Sequence, residues 1–215
     1  MKKVFLAVVF AVIAAVCAQA QFYAGGSLGI DFNASSRTMD LATNKQPSSF
    51  SFNMNPIVGY HLSDGFSAGL RFAIGIRIDN DRADTPTKIY TYSWGLTPLV
   101  RNTLLNADKF SLLLESSLFV SGSKIKLSTG STVTDGPKLI GFGVWALPVL
   151  QYKLTDKLSL EARSHIVSIG FLTATTKDNP KADAPKTSKS TFGFGVNSGS
   201  QNITTPFEIG MVVNF

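Results

Sequence analysis

The feature that most constrains this chain is an alternation of apolar with small or polar side chains that continues over long segments. Phe66, Leu70 and Ile74 share one parity, whereas Ser67 and Arg71 share the other. The same pattern occurs in eight segments: 22–32, 50–62, 66–78, 90–100, 110–120, 140–152, 158–166 and 207–215. Such alternation predicts strands with one apolar face. Most of the segments have at least 11 residues, whereas soluble strands average about five or six and membrane strands need about 9–11.

The connections between these segments are of two kinds that alternate along the chain. Tight turns are predicted at 63–65, 106–109 and 155–157, and longer polar loops at 33–48, 79–87, 124–136 and 172–202. In an up-and-down barrel, this order puts the tight turns at one end and the loops at the other. We call these two ends the turn end and the loop end. Bacterial outer-membrane barrels have this asymmetry.

The orientation of the two faces decides between two kinds of barrel. A soluble lipocalin-type barrel is the alternative, and its apolar face would point inward around a ligand. The apolar face here carries Phe, Tyr, Trp, Leu and Ile, whereas the other carries Gly, Ser and scattered charges. Eight strands leave room inside for little more than a single layer of side chains. The sequence therefore predicts an all-β fold, an eight-stranded antiparallel up-and-down transmembrane β-barrel.

The N-terminus has the pattern of a secretory signal peptide. Lys2 and Lys3 precede an apolar run, Val4–Val16, and the small residues Ala18 and Ala20 form a cleavage site. We expect residues 1–20 to be removed, which leaves 21–215 as one outer-membrane β-barrel domain.

The mature composition excludes several classes of function. Removal of the signal peptide takes away Cys17, the only cysteine, and two lysines, so that 20 − 2 = 18 Lys and Arg stand against 14 Asp and Glu. The resulting charge of +4 is scattered, which argues against a nucleic-acid partner. The two histidines are far apart in sequence, so we expect no metal site and no cofactor.

The last nine residues form a strand that ends on an aromatic residue. The alternating apolar positions are Phe207, Ile209, Met211, Val213 and Phe215. They resemble the C-terminal signal of outer-membrane proteins, which the barrel-assembly machinery reads. The mature chain as a whole resembles the small outer-membrane β-barrel domain proteins common in Bacteroidetes, which are loosely similar to the OmpA and OmpX barrels. The resemblance implies a bacterial outer-membrane location with lipid contacts, but no particular activity. We expect a monomer.

A repeat follows the tight turns and places charges inside the barrel. The segments 64–71, 108–115 and 156–163 share Asp, any residue, Phe or Leu, Ser, and then a charge four residues after the Ser. That charge has the inward parity and lies about 13 Å above the interface residue. We therefore predict a lumen charge belt near mid-membrane, made of Arg71, Glu115, Arg163 and Glu208, with Glu161 just below it. Buried ions need partners, so the belt is either a structural brace or the gate of a narrow pore.

The catalytic evidence in the sequence is weak. His165 and Glu161 share the inward parity, but Ser168 has the opposite one, and His61 lies beside the first tight turn. Nothing predicts the hydrogen-bond geometry of a catalytic site, so we assign no catalytic residue. The polar segment 175–190 is a candidate contact surface for a host or cell-surface ligand.

We therefore expect a non-enzymatic integral outer-membrane barrel with a structural or surface-interaction role through its long extracellular loops. The alternatives are a narrow gated pore for small solutes and, with less support, a lipid-modifying enzyme that acts on lipid A.

Overall fold

The computed structural model describes residues 21–39, 42–80, 87–164, 169–177, 186–194 and 207–215. The expected signal peptide, residues 1–20, lies outside this part of the chain. The strands are β1 (Phe22–Met39), β2 (Ala42–Ser63), β3 (Phe66–Asn80), β4 (Thr87–Ala107), β5 (Phe110–Thr129), β6 (Thr132–Lys153), β7 (Leu158–Ser164), β8 (Ile169–Lys177), β9 (Lys186–Phe194) and β10 (Phe207–Asn214). Within the described ranges, no helix has the length and apolar character needed to cross a membrane.

These ten segments form eight barrel strands. Each of β1 to β5 pairs antiparallel with the next strand along the chain. Strand β6 pairs with β7 near the turn end and with β8 near the loop end, so β7 and β8 are two parts of the seventh barrel strand. Similarly, β9 pairs with β8 while β10 pairs with β7. The predicted eight-stranded antiparallel barrel is confirmed.

The C-terminal strand closes the ring at the turn end. Strand β10 pairs with β1 from Tyr23 opposite Asn214 to Ser27 opposite Gly210. The backbone N–H of Phe215 donates to the carbonyl of Phe22 over 2.9 Å. Closure satisfies the backbone groups of both strands over this stretch, as a hydrocarbon environment requires.

Three tight turns lie at the turn end, where the alternation predicts them. Gly65 between β2 and β3 has a φ of 86° and Asp108 between β4 and β5 has a φ of 46°, so both adopt the left-handed conformation that short hairpins use. Between β6 and β7, the Thr155 hydroxyl accepts a hydrogen bond from the N–H of Leu158 over 3.0 Å. These turns fix the register with which the strands pair.

Much of the predicted loops is strand, which corrects the loop boundaries. The segments 33–48 and 124–136 were expected to be long loops, but β1 and β2 extend to Met39 and from Ala42, and β5 and β6 meet at a turn around Gly130. The segment 172–202 likewise contains parts of β8 and β9. Outside a membrane both faces of a hairpin contact water, so pairing continues without apolar alternation.

The two faces of the sheet differ largely as predicted. Outward side chains such as Ile30, Leu118 and Phe142 are 72%, 59% and 56% exposed. The interior, however, is not only small and polar. Several large apolar side chains are buried there: Tyr23, Ile57, Leu99, Leu113, Leu147, Val149 and Val212. They fill the volume that Gly and Ser would leave empty beside the inward charges.

Candidate functional site

Six charged side chains meet in the interior, between the turn end and the loop end. We call them the charge network, and they are Arg71, Arg101, Glu115, Glu161, Arg163 and Glu208. Successive contacts alternate in sign in the order Arg71, Glu115, Arg101, Glu161, Arg163, Glu208. Three guanidinium groups therefore balance three carboxylates.

Glu115 has the most cationic neighbours in the network. Nη2 of Arg71 donates to both carboxylate oxygens of Glu115 over 2.7 Å. Nη2 of Arg101 donates to Oε2 over 3.0 Å, and Nε of Arg163 lies 3.6 Å from the same oxygen. Removing this carboxylate would leave three guanidinium groups close together.

Glu161 joins the other two arginines. Nη1 of Arg101 donates to Oε1 over 2.8 Å, and Nη2 of Arg163 donates to Oε2 over 2.7 Å. Nε2 of Gln151 lies 3.3 Å from Oε1 and adds a neutral donor. Arg101 thus bridges Glu115 and Glu161 with one planar group, which suits a guanidinium better than an ammonium.

Glu208 connects the network to the closing strand. It lies 3.4 Å from Nη1 of Arg163 and 3.2 Å from Nδ2 of Asn55, and the Ser27 hydroxyl donates to it. With these neighbours, every barrel strand contributes to the network. The contributors are Ser27 on β1, Asn55 on β2, Arg71 on β3, Arg101 on β4, Glu115 on β5, Gln151 on β6, Glu161 and Arg163 on β7 and Glu208 on β10.

Four of the six side chains of the network are almost completely shielded from solvent, whereas Arg71 and Glu208 are partly exposed. Glu115, Glu161 and Arg163 are at most 1% exposed and Arg101 is 4% exposed. Desolvation costs several kcal/mol per ion, so the group is stable only because each charge has neighbours of opposite sign. Among the described buried atoms, Nε of Arg71 and Nε of Arg163 have no hydrogen-bond partner.

The structure brings the five sequence-predicted belt residues into one connected set of contacts, and it adds Arg101. Sequence reasoning missed Arg101 because the repeat was sought only in strands that leave a tight turn, whereas β4 enters one. A usable signal existed: Arg101 has the inward parity and lies six residues before Ala107, the last residue of β4. In the sheet it stands directly opposite Glu115.

Tyr23 packs below the network near the turn end. Its ring lies under the Arg101 guanidinium, 5.4 Å from ring centroid to Cζ. Gly59 and Gly69 stand opposite each other on β2 and β3, and a Cβ atom on Gly59 would overlap the tyrosine ring. The two glycines therefore make the space that lets a large ring lie inside a narrow barrel.

Only part of the set of residues considered for catalysis lies in the described structure. His165 and Ser168 lie outside the described residues. His61 is at the turn end, where a ring nitrogen lies 3.2 Å from Oδ1 of Asn214 and the ring centroid lies 5.1 Å from that of Tyr23. No group of three or more His, Cys, Asp and Glu among the described side chains could hold a metal ion.

A cavity of about 300 Å³ opens at the turn end below the network. Its lining is mainly polar and includes His61, Ser67, Arg101, Asn106, Ser111 and Gln151. Arg101 closes its inner end while already bonded to two carboxylates. The cavity therefore ends at the charge network.

The exterior determines where this barrel resides. Exposed apolar side chains cover it from Phe110 and Phe215 at the turn end to Ile140 and Trp94 toward the loop end. An exposed apolar surface of this extent is unsuited to water, whereas charges inside and apolar side chains outside are the arrangement of a barrel in lipid. The chain is a membrane-spanning β-barrel.

Comparisons with known proteins return solved barrels of the same kind. Neisserial surface protein A has 18% sequence identity to this barrel, covering 90% of this chain and 97% of that one with a TM-score of 0.37. A major outer membrane protein from Thermus thermophilus has 11% identity, covering 91% and 98% with a TM-score of 0.46. Neither a protein-family model nor a curated protein sequence matches the chain. The fold and the lipid-facing orientation of the exterior therefore follow from the strand register and the two faces described above.

The predicted C-terminal assembly signal faces the lipid. Ile209, Met211, Val213 and Phe215 are exposed on the outside of the closing strand, and the side chain of Phe207 lies outside the description. Recognition by the assembly machinery stays a prediction.

Proposed function

We propose that this outer-membrane barrel is non-enzymatic and non-conducting, and that it acts as an envelope component that presents its loop-end hairpins to the exterior. The observation that carries the proposal is the charge network, because its buried side chains occupy the lumen and connect all barrel strands. A wall braced across its middle supports a structural role better than a transport role.

The energetics of the network favour a brace over a gate. Opening a path would separate several ion pairs at once, and each buried pair that loses one partner costs about 3–5 kcal/mol. A gate would need a trigger that compensates for that cost. Neighbouring apolar side chains, such as Leu99 and Val149, are also buried and would have to move with the ions.

The loop-end hairpins supply the surface for an external interaction. Toward the loop end, hydroxyl groups pair across β8 and β9, with Thr173 and Ser190 2.8 Å apart and Thr175 and Ser188 2.9 Å apart. Such polar hairpins are stable in water and present both faces to it. They are suited to contact with a host molecule or a neighbouring cell surface. Of the predicted contact segment 175–190, residues 178–185 lie outside the described structure.

Single-channel recording in planar bilayers tests the non-conducting part of the proposal. We expect the refolded mature chain to give no stable conductance steps. The informative variant is Glu115→Gln. The matched control is Asp135→Asn, which removes a carboxylate at the exposed loop end of β6. Stable steps in the wild type, or a Glu115→Gln barrel that is folded and newly conducting, would replace the brace with a gated pore.

Shortening a hairpin tests the surface role. Thr175 and Ser188 are opposite each other in the sheet, so the intervening residues can be replaced by Asn-Gly without separating the strands. We expect this variant to fold but to reduce adhesion of expressing cells to immobilised epithelial or bacterial cells. Unchanged adhesion to both would leave the barrel with a purely structural role.

The lipid-modifying alternative has its own measurement. If the chain were a lipid A hydrolase, its expression would change the mass of lipid A, and His165→Ala would abolish that change. We expect identical lipid A mass spectra with and without the protein.

A further inference from the structure

Four lysines form a continuous row across four neighbouring strands at the loop end. Lys124 on β5 is opposite Lys138 on β6, Lys138 is opposite Lys177 on β8, and Lys177 is opposite Lys186 on β9. We call these four residues the lysine row. Adjacent strands lie about 4.8 Å apart, so the row spans about 15 Å. Lys88 and Lys126 lie nearby on β4 and β5.

The lysine row lies on the outside of the barrel. Lys138 continues the parity of Ile140 and Phe142, which are 60% and 56% exposed. Lys186 has the parity of Phe192, which is 69% exposed, on β9. Because directly opposed residues point to the same side of a sheet, the remaining two lysines face outward as well.

The height of the row places it just beyond the hydrocarbon. Lys124 follows Phe110 by 14 residues, and Lys138 precedes Tyr152 by 14. At about 3.3 Å per residue and a tilt of roughly 40°, this distance rises about 35 Å, whereas the apolar band of such barrels is about 25 Å tall. Since a lysine stem can bend back toward the interface, the ammonium groups reach the level of the outer-leaflet headgroups.

Among the described side chains around the row, lysines outnumber carboxylates. Lys124 forms a salt bridge of 2.9 Å with Asp135, and Lys177 also has an interaction partner. The Lys124 ammonium also donates a hydrogen bond to Asp135, which lowers the pKa of this exposed carboxyl. The positive charges of Lys126 and Lys138 lower the same pKa. The ammonium groups of Lys124, Lys126 and Lys138 thus act together on the carboxylate of Asp135. Like charges directly opposite each other destabilise a sheet, so an external anion would relieve the repulsion.

Among the described side chains, no outward charge is found near this height on β1, β2 or β3. On the opposite side, the outward side chains described near this height on β1, β2 and β3 are Phe32, Ser48, Phe50, Ile78 and Asn80. A uniform ring of lysines would be a general anchor at the interface. A row on neighbouring strands instead makes a local site with a defined length.

We propose that the lysine row binds the phosphate groups of an outer-leaflet glycolipid. Lysine ammonium groups form charge-assisted hydrogen bonds with phosphate, and juxtamembrane lysines are attracted to an anionic membrane surface. The acyl chains of the same lipid would lie against Ile140, Phe142 and Phe171 directly below the row. The proposal depends on the membrane location and not on the structural or adhesive role proposed above.

Lipid titration of the refolded mature barrel tests this proposal. The probes are bisphosphorylated lipid A and the same lipid with both phosphates removed, each added to barrel in zwitterionic detergent and followed by native mass spectrometry. We expect the phosphorylated lipid to bind at least tenfold more tightly. The variant Lys138→Gln/Lys186→Gln should reduce that preference about tenfold.

The matched control changes two exposed lysines at the other end of the barrel. Lys109→Gln/Lys157→Gln has the same change in charge but lies at the turn end, so it should bind both lipids as the wild type does. Equal affinity for the two lipids, or equal loss in the two double variants, would overturn the proposal. Inorganic phosphate at the concentration of the lipid should not displace it, because a free phosphate lacks the acyl contacts.

Discussion

The charge network and the lysine row are two charged regions of the same barrel, and they differ in the sign and in the burial of their charges. In the network three arginines and three glutamates alternate in a buried interior, whereas the lysine row has one sign and is solvent-accessible. The difference shows how the surroundings decide composition. In the interior the chain must supply every counterion itself, because desolvated charges without partners cost too much. At the interface the counterion can come from the solution or from a lipid.

The consequence is that the two regions should respond differently to the same change. A single charge altered in the network affects all its neighbours, because the interior has little water to screen them. A single charge altered in the row affects mainly what binds there. The following variants separate these two behaviours.

The largest effect is expected from Glu115→Lys. The new ammonium would lie among the guanidinium groups of Arg71, Arg101 and Arg163, so we expect a barrel that fails to fold or loses more than about 3–5 kcal/mol of unfolding free energy. Urea titration of the refolded protein in lipid vesicles measures it. Asp135→Lys makes the same change in charge at the exposed loop end, where solvent screens the added charge, and should lower the urea midpoint far less. A well-folded Glu115→Lys barrel would show that the network is dispensable.

A smaller but still large effect is expected from Arg101→Met. The substitution keeps much of the side-chain volume but leaves Glu115 and Glu161 with fewer cationic partners, so we expect destabilisation by about 3 kcal/mol. Arg77→Met is the matched control, because Arg77 forms a partly exposed pair with Asp79 and such pairs contribute about 0–1 kcal/mol. Equal losses from the two substitutions would mean that burial does not strengthen the network.

An intermediate effect is expected from Gly59→Ala. Its methyl group would overlap the ring of Tyr23, which has to move away from the Arg101 guanidinium, so we expect a loss of about 1–3 kcal/mol. Gly29→Ala is the comparison, because a Cβ atom there would be 3.8 Å from its nearest neighbour, Cβ of Asn53. Urea midpoints of the two variants should therefore differ, and identical midpoints would argue against the packing described for Tyr23.

The smallest effect on stability is expected from salt. At about 1 M salt the Debye length falls to about 3 Å, so binding of phosphorylated lipid to the lysine row should weaken strongly. The urea midpoint of the lipid-free barrel should change little, since the network excludes salt ions. A midpoint that falls in parallel with lipid binding would indicate that the interior is accessible to ions.

The sequence predicted five members of the network and missed the sixth for a definable reason. Parity and distance from a tight turn are local properties, so the repeat located Arg71, Glu115 and Arg163 at one height. Arg101 lies on a strand that runs in the opposite direction, and its position opposite Glu115 depends on the register of β4 with β5. The extended hairpins escaped prediction because polar strands in water lack the alternation that marks a lipid-facing strand.

The lysine row shows the same limit more clearly. In the sequence, successive lysines of the row are up to 39 positions apart, from Lys138 to Lys177, and the charge is scattered. Pairing of β5, β6, β8 and β9 brings them into one line. The tight turns and the match of apolar faces fix the strand register. The positions of the lysines in the sequence do not indicate that register.

The sequence alone determined the barrel and its orientation, because a period of two over lipid-spanning lengths allows only one side of each strand to face hydrocarbon. The tertiary structure decided which charges meet. Antiparallel pairing connects residues far apart in the chain, so the neutral interior and the cationic exterior row exist only once all eight barrel strands have closed.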